Sequence, residues 1–163
     1  MALFKVNTGT RDKEVCFLRW EWEVQAPELG TSVFIIPAAW VKNGEERLVV
    51  LNRVARSVID NVRGEHADYM FTLRRRPTQA MDNSAWNAAR VRVGLPQVRV
   101  HDLKHTFGRR LRAAGVSFED RQDLLGHRSG QITTHYSAAE LENLIAATEK
   151  VWGGNPHSDF AET

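Results

Sequence analysis

At 163 residues, 42% of them apolar and 26% charged, the chain is long enough for one domain with a real core and too short for two full ones. A net charge of +2 does not by itself announce a nucleic-acid binder, and the single cysteine, Cys16, excludes an internal disulfide and fits a reducing compartment. No apolar run approaches the roughly 18 residues that crossing a membrane requires, and the run Met1-Ala2-Leu3-Phe4-Lys5 is too short for a secretory signal, so cytoplasm is the default location.

Taken in chain order, residues 2–9 read as the end of a helix broken at Gly9. Arg11 to Trp22 begins a second helix, with Val15, Leu18 and Trp22 on one side and Glu14 one turn beyond Arg11. Cys16 lies in the apolar run Val15-Cys16-Phe17-Leu18, where a buried structural thiol is expected. The period then changes. Trp20-Glu21-Trp22-Glu23-Val24 alternates, Ser32 to Ile36 is rich in β-formers, and Arg47 to Leu51 is another such run. Asn43-Gly44, between the last two, is a hairpin dipeptide because both residues tolerate positive φ. Three antiparallel strands are expected here, with Lys42 beside the last turn.

The remainder reads as helical. Asn52 caps a helix with Val54, Val58, Ile59 and Val62 inward and Gly64 past its end. Residues 65–80 are irregular, and Arg74-Arg75-Arg76-Pro77 is a loop facing either a phosphate or solvent. Asn83 or Ser84 opens a helix through Trp86, Ala89 and Val93, ended by Gly94. Asp102 to Ala114 forms the next, striped by Leu103, Phe107 and Leu111. Ser117-Phe118-Glu119-Asp120 starts a short helix stopped by Gly126. Ser137-Ala138-Ala139-Glu140 opens the last helix, with Leu141, Leu144, Ile145, Thr148 and Trp152 on one face. Gly153 to Thr163 has little to bury and reads as a frayed tail. The expected fold class is α+β, mostly α-helical, with a small three-stranded antiparallel sheet towards the N-terminal side.

Charge is distributed unevenly. From Arg90 to Arg112 there are seven Arg or Lys residues and one acid, Asp102. Such a stretch is either a phosphate-binding surface or a solvated helix face. Within it, His101, Lys104 and His105 fall on roughly one face of a helix at its first turn, where free N–H groups and the dipole favour an anion. Tyr136 follows His127 by nine residues in Leu124-Leu125-Gly126-His127-Arg128-Ser129-Gly130-Gln131-Ile132-Thr133-Thr134-His135-Tyr136. A phenol that titrates near 10 is a poor nucleophile unless cations and imidazoles converge on the same phosphate. Arg11, Lys42, His101, Lys104 and His127 could supply that convergence. No cluster of carboxylates or His/Cys set stands at metal-ligating spacing.

The segments Thr8-Gly9-Thr10-Arg11-Asp12-Lys13-Glu14, Val41-Lys42-Asn43-Gly44, His101-Asp102-Leu103-Lys104-His105 and Leu124 to Tyr136, in that order, resemble the tyrosine recombinase (phage integrase) family. The resemblance covers nearly all of residues 1–152, which it identifies with the family's catalytic domain, leaving 153–163 as a tail. It implies a metal- and cofactor-free phosphoryl transfer. Tyr136 would attack a DNA phosphodiester, giving a 3′-phosphotyrosyl link and a free 5′-hydroxyl. Arg11 would hold the non-bridging oxygens, with Glu14 orienting it, and Lys42 would protonate the leaving 5′-oxygen from the minor groove. His101 would help move the tyrosine proton, and His127 would hydrogen-bond a phosphate oxygen. His105 would support or pack, His135 is a neighbour, and His66 and His157 are incidental.

The resemblance also implies double-stranded DNA as the partner, a DNA-associated location, no small-molecule substrate, and self-association into a tetrameric synapse. The last helix could fold back on its own domain or dock on a neighbour. Two departures stand out. The family places a second arginine where this chain has Lys104, which keeps the charge but loses the planar fork. One lost charge-assisted hydrogen bond at a developing charge costs on the order of 2–4 kcal/mol, so weakened cleavage is expected. The family's N-terminal DNA-clamp domain is also outside this sequence, consistent with an excised domain or a truncated remnant whose specific affinity is poor. Two other functions fit the same residues: a degenerate, non-catalytic DNA-binding or assembly module, and a type IB topoisomerase-like relaxer.

Overall fold

The computed structural model describes residues 1–127 and 136–151. Its first helix, α1 (Ala2–Thr8), ends at Gly9 in a left-handed conformation, φ 64°, and a Cβ there would lie 2.7 Å from the Phe107 ring. Glycine is thus demanded twice, by the backbone angle and by a neighbouring helix that leaves no room for a methyl group. The chain then turns into α2 (Asp12–Cys16), whose first N–H groups are met when the Glu14 carboxylate accepts from the Arg11 backbone at 2.7 Å. This helix is shorter than the sequence suggests. Trp20–Trp22 forms a single 3₁₀ turn, because the segment around it pairs with residues 68–70: Trp20 donates its N–H to the Asp68 carbonyl and Met70 donates to Leu18.

Three antiparallel strands follow in the order β1 (Glu23–Ala26), β2 (Thr31–Ile36) and β3 (Arg47–Val49), with Glu23 opposite Phe34 and Ile36 opposite Arg47. Side chains alternate between the two faces of β2 and β3. Phe34, Ile36, Val49 and Leu51 enter one core cluster with Phe4, Val15, Leu18, Ala55 and Ile59, while Val33, Leu48 and Val50 enter a second with Phe107, Leu111, Leu124 and Leu144. Covering on both sides makes these strands read as continuous apolar runs. The β2–β3 link is not the tight Asn43-Gly44 hairpin expected. Residues 37–46 make it, including a 3₁₀ turn at Ala38–Trp40, and only Gly44 adopts positive φ, 73°. Trp40 anchors this link by stacking near Phe17 and Trp22, at centroid distances of 5.5 and 5.8 Å.

Helix α3 (Arg53–Val62) is capped by Asn52, which accepts from the Ala55 N–H at 2.9 Å and donates to Asn7 of α1 at 3.0 Å. Residues expected to be irregular form a small hairpin instead, β4 (Thr72–Leu73) against β5 (Arg76–Pro77), turned by Arg74 and Arg75 at positive φ. Asn83 caps α4 (Ser84–Arg92) through the Trp86 N–H. Helix α5 (Val100–Ala113) starts two residues before the expected Asp102 because the Asp102 carboxylate reaches back to the Arg99 N–H at 2.8 Å. Ser117 caps α6 (Phe118–Leu125), and Gly126 ends it at φ 62°. Ser137 and Glu140 form the reciprocal cap of α7 (Ala138–Lys150).

Helix α7 lies on its own domain, with Leu144 and Ala147 in the second cluster. Its Glu149 carboxylate accepts from the Arg53 N–H and from Arg56 Nη2, both at 2.7 Å, fastening it to the start of α3. The expected contributions of His135, Trp152 and the 153–163 tail lie outside the described residues. Among the described residues no helix is long and apolar enough to cross a membrane.

Gly126 offers a stability test. It is left-handed, and a Cβ there would run into Nη1 of the buried Arg47, whereas one at Gly115 (φ 72°) would meet nothing within 4 Å. Gly115→Ala should cost about 1 kcal/mol of backbone strain, and Gly126→Ala about 2 kcal/mol or more, compared by denaturant unfolding; equal losses would mean that Arg47 does not press on this turn.

Candidate active site

The α1–α2 turn, the second turn of α5 and the end of α6 meet at a cleft of about 420 Å³ lined by Arg11, His101, Lys104, His105, Arg109, Arg112, Arg121, Gln122 and His127. Among the described residues no carboxylate lines it. A pocket built from guanidinium, ammonium and imidazole groups with no acid carries a positive potential and suits an oxyanion.

Arg11 owes its position to Gly9 and Glu14. After the glycine breaks α1, Arg11 takes an extended backbone, φ −77° and ψ 165°, at the head of α2. Its Nη1 then donates to Glu14 Oε1 at 2.8 Å while its own N–H is held by Oε2, so one carboxylate grips both ends of the residue. Glu14 has a 1% exposed side chain. Burial would raise its carboxyl pKa, but Arg47 and the two Arg11 contacts more than offset this, and the carboxyl is held below its usual range. The expected pairing of Glu14 with Arg11 is therefore present.

Lys104 is not at the first turn. With α5 starting at Val100, His101 stands in the first turn and Lys104 in the second, on the buried stripe with Phe107 and Leu111. Its residue surface is 5% exposed, and Nζ donates to the Leu125 carbonyl at 2.6 Å. Burial, then the charges of Arg47 and Arg11, pull its pKa down to about 7. His101 and His105 flank it from the exposed side with rings edge to face at 4.5 Å. The His101 pKa is lowered first by burial and then by His105. His127 follows the C-cap Gly126 and donates its N–H to the Gln122 carbonyl at 2.9 Å, which fixes the residue at the cleft mouth. Burial, Lys104 and Arg11 lower its pKa as well. In the neutral form each imidazole keeps one donor and one acceptor nitrogen.

Two predicted site residues are not brought into the cleft. Lys42 is exposed in the β2–β3 link, and Tyr136 is half-buried, packed against the second core cluster just ahead of α7. Neither lines the cleft wall. His66 caps the backbone N–H groups of Asp68 and Tyr69, a structural use. Cys16 is fully buried and its thiol pKa is pushed up to about 12, first by burial and then by Asp12, as a structural thiol requires.

Sequence reading missed Arg47 and Lys5. Arg47 opens β3 and is 1% exposed; its Nε pairs with Glu14 Oε2 at 3.2 Å, and its Nη2 donates to the carbonyls of Thr8, Gly9 and Leu124 at 3.3, 3.0 and 3.2 Å. Lys5 is fully buried in α1 and donates to the Thr10 carbonyl at 2.7 Å, bracing the turn that presents Arg11. Burial, partly offset by Asp12 and Glu14, lowers the Lys5 pKa to about 8. The only clue to either was a cation placed where the apolar period called for a core residue. Arg109, Arg112 and Arg121 extend the cleft along α5 and α6, in line with the basic stretch noted in the sequence. Among the described residues no three His, Cys, Asp or Glu side chains gather as metal ligands would.

The model of the phage integrase family matches residues 1–143. The integrase of Salmonella phage P22 is 27% identical over 161 residues, covering 91% of this chain and 41% of that protein. The tyrosine recombinase XerA of Pyrococcus horikoshii is 25% identical over 158 residues, covering 92% and 53%. A shufflon-specific DNA recombinase of Escherichia coli is 27% identical over 146 residues, covering 86% and 34%. The chain thus spans about half or less of the length of these relatives. With the family model matched over residues 1–143, this chain belongs to the phage integrase family.

Proposed function

We propose that residues 1–152 act as the catalytic domain of a site-specific DNA recombinase, with 153–163 a tail and double-stranded DNA the substrate. The observation that carries this reading is the acid-free cleft in which Arg11, His101, Lys104 and His127 converge from three separate parts of the chain. In the proposed step the Tyr136 oxygen attacks phosphorus and the P–O5′ bond breaks. The phenol proton passes towards His101, and Lys42 gives a proton to the departing 5′-oxygen, so the charge balances. Arg11, Lys104 and His127 oppose the negative charge growing on the non-bridging oxygens. Rejoining is the reverse attack by a 5′-hydroxyl. Tyr136 has to leave its seat on the second cluster to reach the phosphate, so strand cleavage includes a conformational step. Assembly of several copies on DNA belongs to the same proposal, and the cis-docked α7 would have to release Glu149 from α3 in order to exchange.

The second reading, a non-catalytic DNA-binding module, draws on Lys104 in place of arginine and on the phenol lying off the cleft. A nicked duplex that traps covalent protein–DNA adduct separates the two. The recombinase reading expects adduct from the wild type and none from Tyr136→Phe, with duplex binding retained in both; binding with no adduct from either would favour the second reading.

Lys104 gives two further tests. Lys104→Arg restores a fork that can hold two oxygens, and its adduct yield should rise about tenfold or more; an unchanged or lower yield would remove Lys104 from the phosphate contacts. The ammonium is half deprotonated near pH 7 in the unliganded cleft. A bound phosphate favours the charged form and raises that pKa, so binding takes up protons and weakens as pH rises through about 7 to 8. Calorimetry of duplex binding at pH 7.5, as an order-of-magnitude expectation, should show roughly half a proton or more taken up in the wild type. Lys104→Arg should show little, since imidazoles with pKa values lowered from roughly 6.5 stay mostly neutral there.

A further inference from the structure

Arg47 reads as an ordinary polar position at the mouth of a strand, yet every partner of its guanidinium belongs to a segment that carries the cleft. The carbonyls of Thr8 and Gly9 lead into Arg11. Glu14 is the carboxylate that grips Arg11. The Leu124 carbonyl ends α6 and stands next to that of Leu125, which receives Lys104, and two residues later the chain reaches His127. We propose that Arg47 is a positioning residue of the phosphate cleft: from inside the core it locks Arg11 through Glu14 and pins the α6 terminus that seats Lys104 and His127. The inference rests on the reading of this cleft as a phosphate site.

Core packing alone does not account for this residue. A buried guanidinium–carboxylate pair commonly contributes no more to stability than apolar side chains of similar size. What a hydrophobe cannot do is hold three carbonyls and a carboxylate in one fixed geometry. Glu14 Oε2 accepts the Arg11 N–H and stands 3.2 Å from Arg47 Nε in an ion pair, so the carboxylate is drawn from behind while Oε1 faces the Arg11 guanidinium. The negative end of α6 meets two cations in succession, Arg47 on Leu124 and Lys104 on Leu125, which suits the helix dipole and ties both to one backbone. Charge is transmitted as well. Lys104 is faced by Lys5 of α1, Arg11 of the turn, Glu14 of α2 and Arg47 of β3, and Arg47 acts on it more strongly than Glu14 does.

Two variants test the proposal. Arg47→Met/Glu14→Gln removes both buried charges together, so that neither is stranded, and Arg47→Lys keeps the charge without the fork. The readouts are thermal unfolding, the initial rate of adduct formation on a nicked duplex, and the titration of the Lys104 ammonium followed by carbon-labelled lysine NMR. The double variant should remain folded and lose about 10²-fold in adduct rate, as a displaced Arg11 requires. Its Lys104 should titrate at higher pH than in the wild type, which loss of packing alone would not produce. Arg47→Lys should leave that titration in place and recover at least tenfold of the rate. A folded double variant that forms adduct within threefold of wild type, or whose Lys104 titration does not move, overturns the proposal. Should the double variant not fold, a wild-type rate in Arg47→Lys overturns it and a loss of tenfold or more supports it. If the wild type forms no adduct, the catalytic reading fails on its own and the Lys104 titration decides the role of Arg47.

Discussion

A carboxylate and a guanidinium, each about 1% exposed, meet at 3.2 Å between α2 and β3, and the site is built outward from that pair. Taking two such ions out of water costs several kcal/mol per ion unless their remaining donors and acceptors are occupied. Here the occupation is partial: Arg47 Nη2 holds the exit of α1 and the end of α6, Glu14 holds both ends of Arg11, and among the described residues Arg47 Nε and Nη1 make no hydrogen bond. The surroundings contain more positive than negative charge, since Arg11, Lys5 and Lys104 face the same carboxylate. Burial above all, joined at Lys104 by Arg47 and Arg11, lets the two lysines shed protons easily, at about 8 for Lys5 and about 7 for Lys104. A basic cleft of this kind suits an anion, whose charge would favour the protonated lysine.

The sheet and helices make such an interior possible. With β2 and β3 covered on both faces, the start of β3 lies deep enough to carry a buried cation, and the Gly9–Phe107 contact brings α1 against α5 so that Arg11 and Lys104 share a wall. The end of α6 then closes the wall with His127. Each piece is ordinary alone. Their meeting depends on glycine at the two closest approaches, Gly9 and Gly126.

Much of this was legible in the sequence because it is local. A glycine after an apolar stripe, an asparagine before one, and serine followed three residues later by an acid each announce a helix end, and the ends at Gly9, Asn52, Ser117, Gly126 and Ser137 fall where those residues stand. The change to strand periodicity between residues 20 and 50 also carries through, as do the three antiparallel strands. The failures share one cause, contacts far away in the chain. Trp20 to Trp22 alternates like a strand but bends as Trp20 donates to the Asp68 carbonyl and Leu18, just before it, accepts from the Met70 N–H. Arg74 and Arg75 turn a hairpin at positive φ, a conformation that arginine itself does little to favour. Arg47 looks solvent-facing until carbonyls 38 and 77 residues distant are seen to surround it. Among the candidate residues, Arg11, His101, Lys104 and His127 each stand in a short motif, and the fold brings these four to one cleft. The half-buried seat of Tyr136 could not be read, because it depends on how α7 packs.

The aromatic anchor of the β2–β3 link has a mechanical outcome. Trp40 is held by Phe17, Trp22 and the guanidinium of Arg19 at 5.3 Å, only two positions before Lys42, whereas the strands on either side are fixed by the Ile36–Arg47 pair. Beyond the anchor, Lys42, Asn43 and Gly44 are exposed, so a change at Asn43 or Gly44 would alter how far the Lys42 amine extends while strand register and the buried ion pair stay as they are.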